Sequence, residues 1–586
     1  MGILLPTLDD SHSGKNREMI GYFGGYNHNA RINNNEFYDM QNMASDQSRL
    51  LVPRKPRGVE RIFYHVINGL FAHEKLCWVE GEDFYYAGVR KGAVTNGQKQ
   101  IIGMGAYVLI FPDKKYYNTS TGEFGSLENK VTTRATASLC TIDGDEYTGY
   151  TGSNTPPENP ENGDLWVDTS ASPHVLKQYS EAEGIWVSIP TTYVKLSGAN
   201  VSAGFSKYDA VHISGLFGVI GNPSGDYIIY GLAGPYDSYI IITAIMDRPT
   251  GIPSDITVER TVPDMDYVTE FNNRIWGCSS ANHEIYACAL GDPKNWNKFM
   301  GISTDSYAAT VGTPGDFTGC IAHGGYVLFF KEDVIHKLYG NKPSNFQLQD
   351  TICRGVQKGS EKSLVIVNET LFYKSTQDVC IYNSALPTSI SQALGEVKYH
   401  DAVAGALGHK YYISMKDETE QPVMFVYDET QGVWHKEDNA SIKFFAPLGS
   451  ELYSIRFEAP YYYYLEAAGG TLNPDYTGFP GTVEDPSDID WYAETGDIGI
   501  DNPDNKYVSK LQIRLEVDEH ALVRIEVKYD NEGDWLEKYK INLTRKRSFT
   551  VPIIPRRCDT MKLRISGRGA CRIYSITKTY EQGSEM

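Results

Sequence analysis

A strand, a tight turn and a second strand recur through the middle of this chain, and a repeat of this kind constrains the fold more than any other feature. The first copy runs through Tyr267–Gly277 and leads to a further short strand at Glu284–Cys288. The layout returns at Gly319–Phe330 with Val334–Tyr339, at Leu364–Tyr373 with Val379–Tyr382, and at Ala404–Ser414 with Met424–Tyr427. A weaker copy is Phe444–Ile455. The spacing is about 40–50 residues, the period of propeller blades, in which each unit buries its faces only against its neighbours. An all-β chain built on a β-propeller of about six or seven blades is the expectation.

The flanking sequence divides around that repeat. Residues 1–58 read as an extended N-terminal arm, polar and Asn-rich, ending in Pro53-Arg54-Lys55-Pro56-Arg57-Gly58, where two close prolines favour extended chain. Only Glu36–Ser45 has a helical reading. Residues 59–130 hold the first blades: Arg61–Ile67 alternates, Asn68-Gly69 gives a hairpin signal, and short strands follow at Lys75–Val79, Phe84–Ala87, Ile101–Met104, Tyr107–Phe111 and Lys115–Asn118. Residues 131–250 look like inserted small β-modules, opening with a Pro/Asn/Gly loop at Asn154–Gly163. The remaining blades span 251–468. After a Gly/Pro/Asp-rich linker, residues 488–582 alternate cleanly, as in Leu511–Val517 and Leu522–Val527, and predict an antiparallel β-sandwich.

A second recurring element sets a Tyr, a Gly and an aromatic around a turn: Tyr117…Gly122-Glu123-Phe124, Tyr179…Gly184-Ile185-Trp186, Tyr427…Gly432-Val433-Trp434 and Tyr529…Gly533-Asp534-Trp535. Facing rings across a hairpin are the plain reading; a row of sugar-stacking aromatics is the sharper one.

Composition agrees with β structure and narrows the partners. The 586 residues include 41 Tyr and 55 Gly, and the net charge of −20 repels polyanions from most of the surface. The 9 Cys form no CxxC pair, so neither a zinc ribbon nor a disulfide framework is expected, and folding in a reducing cytoplasm is the simpler expectation. No signal peptide is expected from MGILLPTLDDSHSGKN, and no run of apolar residues is long enough to span a membrane.

Nothing in the sequence forms a catalytic, cofactor-binding or metal-binding motif: GxSxG, HExxH, P-loop and GxGxxG contexts are absent. Asp143–Glu146 and Asp501–Asn505 are fragments of calcium loops without the remaining ligand positions. The expectation is a chain that is not an enzyme, with a glycan-cleaving propeller as the competing reading. One charge feature stands out. Arg545, Lys546, Arg547, Arg556, Arg557, Arg564 and Arg568 crowd an otherwise acidic chain, and Arg54, Lys55 and Arg57 close the arm. Against a plain solvated strand face, these ten residues are candidates for docking an acidic partner, such as a neighbouring identical subunit.

The chain resembles the β-propeller tail nozzle and packaged-DNA stabilisation proteins of tailed bacteriophages. The residues that carry the resemblance are Glu36–Met43, Leu51–Gly58, the blade pattern Tyr267–Trp276 followed by Asp292-Pro293-Lys294-Asn295-Trp296-Asn297, and Pro157–Ser188 with Gly163–Thr169. The resemblance implies a structural virion protein, assembled in the bacterial host cytoplasm, that forms a homo-oligomeric ring (a hexamer) beneath the portal and adaptor. Such a ring retains packaged DNA, forms part of its exit channel and releases it at ejection. DNA would pass without sequence-specific binding, which an acidic wall favours. The alternative is a receptor- or carbohydrate-binding propeller of the phage tail.

Overall fold

The computed structural model describes residues 15–45, 48–219, 224–234, 237–249, 251–473, 476, 481–500, 506–542 and 547–582. The chain is all-β: among the described residues, the helical elements are four 3-10 turns of three residues each. It forms a β-propeller with an inserted barrel and a C-terminal sandwich.

Among the described residues, seven sheets have the form of blades, numbered here in chain order. Blade 1 begins at Ile67–His73, blade 2 at Gln100–Met104, blade 3 at Tyr267–Glu270 and blade 4 at Gly319–His323. Blade 5 begins at Val365–Val367, blade 6 at His400–Leu407 and blade 7 at Ser441–Leu448. The first three strands of blade 7 are consecutive, and its fourth is Gly58–Phe63 from the other end of the propeller sequence, with Thr482–Val483 added outside it.

The chain divides into two compact units. One comprises Met1–Gln98, Phe330–Ile335 and Thr351–Met586; the other comprises Lys99–Phe329 and His336–Asp350. Within the first, the opening strands of blades 5 and 6, of 6 and 7, and of 7 and 1 are in contact, so the first strand of each blade is its inner edge. Within the second, the same holds for blades 2 and 3 and for 3 and 4.

Side-chain direction explains the repeat. The second strand of blade 3, Ile275–Ser279, is buried along its whole length. Ile275 joins a core with Met104 and Leu109 of blade 2, while Trp276 and Cys278 join one with Val327 and Phe329 of blade 4. Successive residues point to opposite faces, and both faces are covered by neighbours, so such a strand reads as a continuous apolar run. The turns repeat for a backbone reason. Asn272-Asn273, Gly324-Gly325 and Asn368-Glu369 all have positive φ at both positions, the geometry of the two-residue turn that matches strand twist.

Several sequence expectations change. Asn68-Gly69 lies inside the strand Ile67–His73, not in a turn, because the register shifts there and the Asn68 side chain bonds Gly81 and Asn96. Glu36–Ser45 holds strands at Phe37–Gln41 and Met43–Ala44 rather than a helix. In the Tyr/Gly/aromatic elements, Tyr117 faces Phe124, Tyr179 faces Trp186 and Tyr427 faces Trp434; Tyr529 faces Glu532 instead of an aromatic.

The inserted region is a closed six-stranded barrel that runs from Asn129–Cys140 to Ser254–Arg260. Leu139, Val194, Leu196, Ile213, Ile229, Ile240 and Val258 fill it. A small four-stranded sheet at 151–188 shares this core through Val167 and Leu176. One motif residue, Asn295, ties the barrel to blade 3, and a second, Arg274, braces the blade itself. The Asn295 amide donates to Asp209 (3.1 Å) and accepts from the Ala210 N–H (2.7 Å), while Asp209 pairs with Arg260. Arg274, fully buried, donates to the carbonyls of Cys288 (2.7 Å) and Ser303 (2.8 Å).

The C-terminal sandwich contains more than residues 488–582. Lys15–Ile20 pairs with Cys571–Gln582 in one sheet, and Phe37–Gln41 pairs with Asp490–Thr495 in the other. The arm thus supplies an edge strand to each layer and buries Phe23, Phe37 and Met40 in a core with Leu511, Ile525 and Leu563.

Candidate functional site

The end of the arm crosses blades 6 and 7 and encloses a cleft of about 510 Å³, within the size range of ligand pockets. Its floor is Tyr412, Met424 and Val426 of blade 6 with Ile442 and Phe445 of blade 7. Arg54, Lys55, Arg57 and Lys410 bring the cationic groups, with the His409 ring beside them. Three of the ten residues singled out from sequence therefore converge here.

Two of those three are committed within the chain. The Arg54 guanidinium donates to both carboxylate oxygens of Glu484 (2.8 and 3.0 Å) and to the Asn42 side chain (2.8 Å). Arg57 donates to Asp438 (2.8 Å) and Glu437 (2.6 Å). Burial raises the Asp438 carboxyl, but Arg57 and Arg54 outweigh it and hold the group below its ordinary range. Glu484 is lowered in the same way, by its bonds to Arg54. Burial likewise opposes the charge on Arg57, and Asp438 and Glu437 overcome it, so the guanidinium stays protonated. Lys55 is exposed at the cleft.

Deeper in the cleft wall, His435 receives the arm. Its Nε2 accepts the backbone N–H of Ser45 (3.0 Å) and lies 2.9 Å from the Ser45 hydroxyl. A backbone amide can only donate, which places the ring proton on Nδ1. Both side chains are buried, so this Ser–His pair holds the arm on blade 6.

The C-terminal cations do not form one free patch. Arg568 makes a two-pronged bond to Asp490 (2.9 and 3.0 Å), which lowers that carboxyl. Arg564 lies between the rings of Tyr492 (4.7 Å) and Trp535 (5.0 Å) with Glu494 beside it (4.0 Å). Arg556 and Arg557 are exposed. Arg547 begins a strand, and its side chain, like the whole of Arg545 and Lys546, lies outside the described residues. Sequence reasoning missed Asp438, Glu437, Glu484 and His435, none of which stands in a motif. Among the described residues, no group of three or more His, Cys, Asp or Glu is placed to hold a metal, and no helix is long and apolar enough to cross a membrane.

No family model matches this chain, and no curated protein does. Among solved structures it is similar to Raptor from Chaetomium thermophilum, at 9% identity and a TM-score of 0.30. That match covers 72% of this chain and 30% of the other, so the chain spans under a third of Raptor. It is also similar to an exo-beta-1,3-galactanase from Phanerochaete chrysosporium (9% identity, TM-score 0.20, 53% of this chain and 95% of that one). A third is an engineered GH43 glycoside hydrolase (8% identity, TM-score 0.21, 55% and 98%). The expectation that the chain is not an enzyme is withdrawn on this finding, because glycoside hydrolases stand among the structures it resembles. Likeness at such identity bears on fold alone, and no residue role is carried over from it.

Proposed function

We propose that this chain is a structural subunit of a homo-oligomeric ring at the portal–tail axis of a tailed bacteriophage, retaining packaged DNA and forming part of its exit channel. One observation carries the reading. Both motif residues behind the resemblance are buried: Asn295 joins blade 3 to the inserted barrel through Asp209 and Ala210, and Arg274 braces blade 3 beside that joint through the Cys288 carbonyl. A short pattern shared by chance has no physical reason to fall on the joint between two modules. In this reading Lys55, Arg556 and Arg557, exposed members of the basic set, meet an acidic surface of a neighbouring subunit or of the portal and adaptor, whereas Arg568, also exposed, is bonded to Asp490. The net charge of −20 favours passage of DNA without capture.

Light scattering and electron microscopy of the purified chain, alone and with portal and adaptor proteins, test the proposal. Closed rings, six-fold in the sharper form, are expected; a monomer under every condition rejects it.

A second reading, a receptor- or carbohydrate-binding tail protein, is favoured by Tyr64 and Tyr461, which are 70% and 72% exposed. Tyrosine rings held in solvent are suited to stacking on sugars. Saturable binding on a glycan array that is lost in Tyr461→Ala supports this reading, and a blank array removes it.

A further inference from the structure

Blades 5, 6 and 7 bring three lysines together near the ends of their inner strands. Residues 354–364 lead from blade 4 into blade 5 and end in the 3-10 turn Glu361–Ser363. That turn is fixed from several sides. The Ser360 hydroxyl accepts the Ala402 N–H of blade 6 (3.0 Å), and the Ser363 hydroxyl accepts the Lys374 N–H (2.9 Å). The Tyr411 hydroxyl donates to the Ser363 carbonyl (2.8 Å). Held in this way, the turn sends Lys362 to blade 7, where its Nζ lies 4.2 Å from the centre of the Phe444 ring and 3.5 Å from the Lys443 carbonyl.

Lys443 stands at the register shift between Ile442 and Phe444, with its own Nζ 5.4 Å from the Phe457 ring. Lys416 ends the second strand of blade 6 and bonds Asp401 (2.9 Å) and Glu420 (3.1 Å). His400 shares those two acids, at 3.5 and 3.3 Å. The acids are thus engaged with Lys416 and His400. Among the described residues, neither Lys362 nor Lys443 has a carboxylate within 4.0 Å. Several other lysines of the chain are paired with acids, Lys114 with Glu128 and Asp264, Lys177 with Asp168 and Lys578 with Glu18, while the more deeply buried Lys374 donates to the Ser375 carbonyl. Lys362 and Lys443 are two half-buried ammonium groups side by side with no carboxylate of the described residues in bonding range, in a chain with an excess of 20 negative charges.

Burial pushes the Lys362 ammonium below its ordinary range; the Glu361 carboxylate offsets this in part, and Lys443 adds repulsion. Burial does the same to Lys443, with repulsion from Lys416 that Asp401 offsets in part. A compact oxyanion placed against both groups would offset their mutual repulsion and accept their N–H bonds.

We propose that Lys362 and Lys443 form a binding site for a phosphate group at the inner-strand ends of blades 5–7. The phosphate comes either as the free ion or as part of a nucleic-acid backbone, since both present the same oxygens. The site does not depend on the ring: it is a property of the single chain, and it stands or falls apart from assembly.

Titration calorimetry of the full chain at low ionic strength, with inorganic phosphate in one arm and a short DNA duplex in the other, decides the matter. Saturable phosphate binding is expected, weakened about tenfold or more in Lys362→Met and in Lys443→Met, where the apolar stems that lie on Phe444 and Phe457 are kept. Lys540→Met, an exposed lysine on the C-terminal sandwich, serves as the control and retains full affinity. Duplex binding that phosphate competes away assigns the site to the DNA backbone; phosphate binding without duplex binding assigns it to the free ion. Lysine Nζ resonances of the reductively dimethylated chain supply a second readout, with Lys362 and Lys443 shifting toward higher pKa on titration. Absence of saturable binding by either probe, or binding unchanged in the double Met variant with its melting temperature intact, overturns the proposal.

Discussion

Arg57 shows how a residue can be legible as chemistry and illegible as a role. Its charge and its place in a Pro/Arg-rich stretch can be read from the sequence, and they suggested an outside partner. The partners are Glu437 and Asp438, some 380 positions along the chain, and no spacing rule reaches that far. Arg57→Met leaves Glu437 without its cation and Asp438 with only the longer pairing to Arg54 (3.9 Å), a change worth about 3 kcal/mol of unfolding free energy in urea titration. The Asp438→Asn variant should add less than its own single effect on that background, because the two share one interaction. The same network sets a pH dependence. Asp438 and Glu484 are held below the ordinary carboxylate range when folded, so their contribution is present above about pH 4 and is lost as pH falls through their folded values. Lys374 gives the opposite sign. Burial pushes its ammonium down to about 8, against about 10.4 in the unfolded chain. The unfolded state then holds more protons between those values, and stability rises with pH across that window by about 1 kcal/mol per unit. Thermal unfolding from pH 8 to 10.5 should show the rise in the native chain and lose it in Lys374→Met.

At the level of elements, the sequence reveals what repeats locally and conceals what pairs at a distance. Strands such as Tyr107–Phe111 and Lys115–Asn118 stand where alternation and turn residues put them, because both signals are local. The blades were legible for the same reason. Asn68-Gly69 misled because the same dipeptide serves a hairpin turn and a strand irregularity, and only the partner strand Lys75–Glu80 decides between them. The arm was legible as extended chain, but its destination was not. Its two strands pair with Cys571–Gln582 and Asp490–Thr495, so their sheets are completed from the far end of the chain. The joint between barrel and blade 3 is the element most open to test. Asn295→Ala removes the acceptor of the Ala210 N–H and a donor to Asp209, leaving buried polar groups without partners. A loss of about 2–3 kcal/mol in denaturant unfolding is expected. Limited proteolysis should then cut first near the barrel boundaries, around residues 127 and 262; cleavage spread evenly over the chain would remove the joint from its assigned role.

The whole molecule carries two electrostatic tendencies that oppose each other in assembly. With a net charge of −20, identical subunits repel, and that repulsion acts over the Debye length, about 10 Å at 0.1 M salt and about 30 Å at 0.01 M. The exposed cations Lys55, Arg556 and Arg557 act only at contact, where a neighbour's acids lie closer than the screening distance. Added salt therefore first relieves the long-range repulsion and only later weakens the contact pairs. If the ring proposed above is built through these residues, its formation should rise with salt up to about 0.15 M and fall beyond it. Exposed pairs contribute about 0.2–1 kcal/mol each, so Gln at all three positions should raise the assembly midpoint concentration by roughly tenfold and abolish the falling limb. The rising limb should survive, because the net charge only becomes more negative. Light scattering across a salt series reads both limbs. Assembly that climbs steadily with salt in the native chain, unaltered in the triple variant, would show that subunits meet through some other, apolar surface.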